Sequence, residues 1–254
     1  MSPARQPPRI TAAQEPFLVA RTYTALFSSG FEGPAHSHPW SQLLYATSGA
    51  MTVTAGSSTW LIPPGKAVFI PAGRLHSIRM WGDVEMRTVY LRSPAPQNDA
   101  CRVLSVTPLL RELIVRVVEM VALDSRQEDH MRLLSVLMDE MSRAPETPLL
   151  LPMPTDPRAA AIARDVLADP AGQQSLATLA RRHGAARRTA ERLFRTQTGI
   201  SFGLWQQKAR MLTAVRLLAE GRSVTDAGLD AGYTSLSAFI AAFKRTFGCT
   251  PGKL

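Results

Sequence analysis

Between Phe17 and Arg92 the chain reads as short apolar runs broken by glycine, proline and serine: Gln42–Ala46, Met51–Thr54, Thr59–Ile62, Ala67–Ile70 and Val84–Leu91. Runs this short, closed by turns at Pro63-Pro64-Gly65 and Pro71-Ala72-Gly73, predict an antiparallel β-sandwich or barrel. After Pro108 the period changes. Leu109, Leu110, Leu113, Ile114, Val117, Val118 and Val121 recur at three- and four-residue steps, the spacing of one helix face, and Met131, Leu134, Leu137, Met138 and Met141 mark a second helix. Each stripe must be covered, either by the chain's own barrel or by a second copy in a dimer. Prolines at 145, 148, 152, 154 and 157 then forbid a continuing helix and predict an extended linker. The expected organisation is α+β and multidomain: a flexible N-terminus (1–15), a β-barrel (16–104), a helical pair and candidate dimerisation element (105–144), a Pro-rich linker (145–157) and an all-α domain (158–254).

The last segment repeats itself. Ala180 and Gly184 recur as Gly228 and Gly232 after 48 residues, and Phe194 and Gly199 recur as Phe243 and Gly248 after 49. Between the units Ser201 caps a predicted long helix that turns Phe202, Trp205, Ala209, Leu212 and Leu218 inward, and Ser223-Val-Thr-Asp226 has the spacing of a capping box. Each unit reads as helix, glycine turn, helix, with a small residue where the two helices cross; Gly228 inside a helix costs about 1 kcal/mol against alanine, so close helix contact is the reason to expect for it. The second helix of the first unit, Ala186–Thr196, exposes Arg187, Arg188, Glu191, Arg192 and Arg195, groups suited to phosphate, guanine and cytosine. Its counterpart, Ser235–Phe247, offers Ser235, Ser237, Lys244 and Arg245, a set better suited to backbone anchoring. One arginine-rich helix is more often a solvated face; two units, each with its turn glycine, favour double-stranded DNA as the partner.

Composition sharpens this. With 254 residues and 45% hydrophobic content the chain is long enough for two ordinary domains with their own cores. The net charge of +9 is unevenly placed, with 9 basic and 5 acidic residues in 1–104, 5 and 9 in 105–156, and 15 and 6 in 157–254. The basic excess therefore sits in the helical domain, as a polyanionic partner requires. Two cysteines, Cys101 and Cys249, fall in different expected domains, which argues against a disulfide framework and for a reducing compartment. The opening MSPARQPPRI lacks an apolar h-region and no run of about 18 apolar residues follows, so neither signal peptide nor membrane span is expected and the cytoplasm is the expected location.

Three of the five histidines fall in one pattern, Gly30-x5-His36-x-His38-x3-Gln42-x6-Gly49 followed by Gly65-x5-Pro71-x-Gly73-x2-His76. Side chains at i and i+2 share a face of a strand, so His36 and His38 can point together into a barrel and meet His76 from a partner strand. Three imidazoles with one more ligand suit a divalent metal such as Zn, Ni, Fe or Mn; the same residues can instead line an effector pocket that holds no metal. Trp40, Tyr45 and Trp60 are candidate walls of that pocket, or simple barrel core. His130 and His183 read as surface or packing residues.

The ordered run Leu176-Ala-x-Leu-Ala-x3-Gly184, Arg188-x3-Arg192-Leu-Phe194-x4-Gly199-x-Ser201, Trp205, Arg210, Ala214, Leu217-Leu-x2-Gly221 and Gly232-Tyr-x-Ser-x-Ser-Ala-Phe239-x3-Phe243-Lys-Arg-x-Phe-Gly248-x-Thr-Pro251 closely resembles the DNA-binding domain of the AraC/XylS regulators. That resemblance implies seven helices and two recognition helices in successive major grooves. It puts base contacts at Arg188, Glu191 and Arg192 in the first unit and at Leu236, Ser237 and Ala241 in the second. Departures are Gly228 for the usual alanine, Ala185-Ala186 after the first turn, and Ala241, which has no polar head. The histidine pattern resembles the two motifs of the cupin fold and implies metal ligation by His36, His38, Gln42 and His76, with Gln42 standing where the family has glutamate and Met80 where it has asparagine. Taken whole, the chain is similar to the cupin-bearing AraC subgroup that includes the nitroimidazole-resistance regulator of enteric bacteria. The resemblance implies a homodimeric transcriptional regulator answering a small-molecule effector. The rivals are a cupin metalloenzyme, an oxygenase or isomerase, fused to a DNA-binding module, and an architectural DNA binder with an inert barrel.

Overall fold

Strand β3 (Ser41–Ala46) is buried at every position, which a strand achieves only when both faces of its sheet are covered. It lies within a six-stranded antiparallel sheet of order β10-β1-β8-β3-β6-β9, formed by β1 (Leu18–Phe27), β6 (Lys66–Ile70), β8 (Val84–Leu91), β9 (Arg102–Ser105) and β10 (Ala122–Asp124). Facing strands are β2 (Glu32–His36), β4 (Ala50–Ala55) and β7 (His76–Trp81), with β7 paired antiparallel to both others. The computed structural model describes residues 16–56, 58–92, 100–146, 150–172, 174–247 and 249–253; the tail expected over 1–15 and the repeat residue Gly248 lie outside the described residues. These form two compact units, the second of which takes Ser58–Leu61 together with the chain from Leu150 onward.

In the first unit, α1 (Pro108–Glu119) starts where Thr107 accepts from the Leu110 N–H and Pro108 needs no donor partner. Its stripe of Leu110, Leu113, Ile114, Val117 and Val118 joins Leu134, Leu137 and Met141 of α2 (Glu128–Arg143) against Ala20, Leu43, Tyr45, Ala67, Phe69, Val89 and Leu91 of the six-stranded sheet. Each such buried aliphatic contributes about 1.5–3 kcal/mol. The stripe is thus spent on the chain's own barrel, and no second copy is needed to cover it. Leu109, Val121 and, on α2, Met131, counted into the stripes from spacing, are exposed; Val121 lies beyond the helix end at Met120, with φ of 65°.

The second unit begins with an antiparallel pairing of β5 (Ser58–Ile62) with β11 (Leu150–Pro152), so the Pro-rich segment holds a paired strand where a plain linker was expected. Six helices follow: α3 (Pro157–Ala168), α4 (Leu176–Arg182), α5 (Arg187–Thr198), α6 (Phe202–Ala219), α7 (Val224–Asp230) and α8 (Leu236–Phe247), then a 3-10 turn at Pro251–Lys253. Asp156, Ser175, Ser201 and Ser223 cap α3, α4, α6 and α7 with their side chains. In α6 it is Leu217 that is buried, with Leu218 only partly so. The sequence repeat is a backbone repeat: Gly184 N–H and Ala185 N–H bond to the carbonyls of Arg181 and Ala180, and Gly232 N–H and Tyr233 N–H bond to those of Leu229 and Gly228. Both turn glycines have positive φ, 69° and 87°. A Cβ on Gly228 would lie 2.8 Å from the Phe239 ring, so the close crossing of α7 and α8 is what excludes alanine there. Trp205, fully buried, donates from Nε1 to the Pro152 carbonyl at 2.7 Å and packs edge-on to Phe194. Among the described residues no helix is long and apolar enough to cross a membrane.

Two predictions concern this packing. A Cβ at Gly184 meets open space, so Gly184→Ala is expected to cost only the left-handed backbone penalty of about 1–2 kcal/mol. At Gly232 the same penalty is joined by Pro170 O at 2.7 Å and Ala171 Cα at 3.0 Å, so Gly232→Ala is expected to lose clearly more in urea melts followed by the helical far-UV signal; equal losses would refute the close approach. Trp205→Phe leaves the Pro152 carbonyl without its donor and shrinks a filled core, and about 1–3 kcal/mol of stability is expected to go with it in the same assay.

Candidate functional site

Strand pairing assembles the histidines. His36 at the end of β2 is in register with His76 at the start of β7, and His38 follows two residues on. The ligand atoms of the three imidazoles all lie within 4.8 Å of one another. Each ring is held by its Nδ1, which bonds to a backbone carbonyl: Pro34 for His36, Trp40 for His38 and Arg74 for His76. A carbonyl only accepts, so Nδ1 carries a proton, and in a neutral ring Nε2 is then left with its lone pair, the arrangement found behind metal-ligating histidines. Burial, reinforced by His36 and His38, lowers the His76 imidazole to about 4 against the opposing pull of the Arg74 carbonyl. That ring is therefore neutral at pH 7, and its buried Nε2 has no hydrogen-bond partner.

Gln42 completes the set. Its Nε2 donates to Thr88 Oγ1 and the Tyr90 hydroxyl at 3.2 and 3.4 Å, which turns Oε1 to within 3.1 Å of His38 Nε2. Two acceptors facing each other are satisfied by a cation, so the donor set of three imidazole nitrogens and one amide oxygen fits a divalent metal. Burial pushes Tyr90 up to about 12, keeping its hydroxyl protonated. Spacing alone missed Thr88 and Tyr90, although both lie on the β8 face that alternation assigns to the same side as Gln42, with Gln42 opposite Tyr90 in register.

The expected pocket walls are not brought together. Trp40 packs with Tyr90, Leu18 and Tyr23, and Tyr90 in turn stands edge-on to His38 at 5.0 Å. Tyr45 lies on the opposite face of β3 from Gln42, in the core shared with α1 and α2, and is a packing residue. Trp60 is buried on β5, the strand paired with β11. His130 accepts from the Asp124 N–H, and His183 bonds to Asp165, whose carboxyl is lowered by that bond and by Arg182; both are packing residues, as expected.

On the second unit, Ala190, Leu193 and Phe194 bury the inner face of α5, while Arg188, Arg192 and Arg195 stand exposed and form no ion pair among the described residues. Arg187 and Glu191 lie on the flank, joined by a 3.0 Å ion pair. With Arg195, Ser175, Ser201 and Gln206 they line an open cleft of about 560 Å³. On α8, Phe239, Ala242, Phe243 and Phe247 are buried, and Leu236, Ser237, Ala241, Lys244 and Arg245 are exposed. Ser235 precedes the helix, its Oγ accepting from the Ala238 N–H, so its hydroxyl oxygen is engaged as a cap.

Residues 179–254 match the helix-turn-helix domain family and residues 24–91 the cupin domain family. The chain is 31% identical over 221 residues to the HTH-type transcriptional regulator NimR of Escherichia coli K12, covering 87% of this chain and 81% of NimR. It is 35% identical over 100 residues to the HTH-type transcriptional regulator RipA of Corynebacterium glutamicum, covering 39% of this chain and 30% of RipA. Among solved structures, the DNA-binding domain of AdpA in complex with a target DNA aligns at 32% identity over 38% of this chain and 87% of that domain, with a TM-score of 0.36. The likeness to NimR spans both domains, and the chain belongs to the AraC-type family of helix-turn-helix transcriptional regulators carrying an N-terminal cupin domain.

Proposed function

We propose that this DNA-binding regulator works in the cytoplasm as a sensor. The barrel takes up a small molecule beside a divalent metal held by His36, His38, Gln42 and His76, and occupancy changes how the second unit, as part of a homodimer, engages promoter DNA. The observation that carries the metal reading is the buried, partnerless Nε2 of a neutral His76 within reach of two imidazoles fixed in the same tautomer. A divalent ion there supplies a Lewis-acid point of attachment for an effector atom. The chain's own residues do the rest: three carbonyls aim the rings, and Thr88 with Tyr90 aims the Gln42 amide.

A sensing barrel is favoured over a catalytic one because an amide stands where the cupin motif has a carboxylate, and among the described residues no aspartate or glutamate is buried. A carboxylate base for proton abstraction is therefore missing inside the barrel among the described residues. For the dimer, Leu109, Met131 and Val136 supply exposed apolar side chains on the helical pair after its main stripe is spent. For DNA, Arg188, Arg192 and Arg195 supply a cationic face on α5 with no ion pair among the described residues, and effector occupancy need only shift an equilibrium between binding-competent and incompetent arrangements.

Purified protein is expected to hold close to one equivalent of divalent metal by elemental analysis, and His76→Ala to lose it with the fold intact by circular dichroism. Metal retained at wild-type level in His76→Ala would remove His76 from the ligand set. Arg192→Ala is expected to weaken binding to the chain's own upstream region by about 1–3 kcal/mol and to relax preference at one base pair. A loss of the same size on every DNA sequence would instead make Arg192 a phosphate anchor.

A further inference from the structure

The candidate centre is electrically incomplete. Its four donors, the imidazoles of His36, His38 and His76 and the amide of Gln42, carry no negative charge, and among the described residues no carboxylate is buried anywhere in the barrel to compensate a dication. Of the acidic side chains near in sequence, Glu32 pairs with Arg79, Glu85 with Arg87 and the Thr47 hydroxyl, and Asp83 is exposed on the surface. A doubly charged ion taken out of bulk water with only neutral ligands is costly unless an anion accompanies it. A second unsatisfied polar group lies one ring removed from His38. Trp40 is 2% exposed, packs with Tyr90 beside His38, and its Nε1 donor is buried without a partner.

We propose that the effector is a small carboxylate: one oxygen binds the ion held by His36, His38, Gln42 and His76, and another accepts from Trp40 Nε1. This rests on the metal reading above. Gln42 in place of glutamate is then the feature that makes the site selective for anions, since a protein carboxylate at that position would supply the charge that the effector otherwise brings. Trp40 acts as the donor that orients the carboxylate, and its carbonyl meanwhile holds the His38 ring.

The test uses the full chain loaded with Co(II), whose visible absorption reports its coordination sphere, and two probes of equal size that differ in charge, glycolate and glycolamide. Glycolate is expected to shift the spectrum with an affinity roughly tenfold or more above that of glycolamide. Gln42→Glu is expected to keep Co(II) and lose roughly tenfold in glycolate affinity, and Trp40→Phe to keep Co(II) while weakening glycolate by a few-fold, about the worth of one hydrogen bond to a charged group. If the wild-type chain takes up no Co(II), the metal reading fails and this inference goes with it. If it takes up Co(II) but binds the two probes alike, or if Gln42→Glu binds glycolate as well as wild type, the metal reading stands and the anion is overturned. The wild-type comparison of the two probes decides the matter even if a variant does not fold.

Discussion

Alternation along β3 is the constraint from which the first unit follows. Because successive side chains leave a strand on opposite faces, Gln42 and Tyr45 are committed to different environments by one interval of three residues. The even face meets Thr88, Tyr90 and His38, and the odd face meets α1 and α2. A one-residue slip of β3 against β8 would carry the amide into the aliphatic core and Leu43 into the histidines. The helices on the outer face therefore do more than add buried area. By making the odd face apolar and filled, they fix the register that holds the polar cluster together.

The second unit depends on a different economy of space, the close crossing of two helix pairs. Ala180 serves in one pair and Gly228 in the other, and the tighter demand in the second comes from the Phe239 ring. Once the crossings and glycine turns are set, α5 and α8 each have one face turned inward by aromatic and aliphatic side chains and one left to solvent. The two exposed faces are chemically unequal. Arginines dominate the first, whereas Leu236, Ser237 and Ala241 give the second little hydrogen-bonding capacity, its cations Lys244 and Arg245 standing at the end of α8.

Much of this was legible from residue order because the periodicities were strong. The duplicated glycine turns at Gly184 and Gly232 and the histidine spacing fold as their pattern predicts, the α1 and α2 stripes do so apart from Leu109, Val121 and Met131, and β8 has the limits read for it. What was not legible has specific causes. β2 contains a glycine and a proline and is largely exposed, so only pairing with β7 makes it a strand. In β7 the alternation of His76, Ile78 and Met80 with Ser77 and Arg79 was present but looks polar when read as a run. Residue type left Tyr45 open between pocket wall and barrel core, and parity with Gln42 puts it in the core. Ser235 stands at the start of the helix, and its capping of the Ala238 N–H was not read from the sequence, where only its solvent-facing position was used. The strand at Leu150–Pro152 was hidden by the prolines around it, whose effect on helices is local and says nothing about pairing with a distant β5.

That last strand bears on how freely this regulator can be recombined. Its helical unit is discontinuous in the gene, because Ser58–Leu61 belongs with residues that follow Leu150, while Leu151 and the Pro152 carbonyl help to seat Trp205. A crossover that moved only the helices onto a foreign sensor would leave an indole N–H facing nothing and an open seam beside Phe194. A recipient that brings a replacement for that short ribbon would restore the acceptor that Trp205 needs.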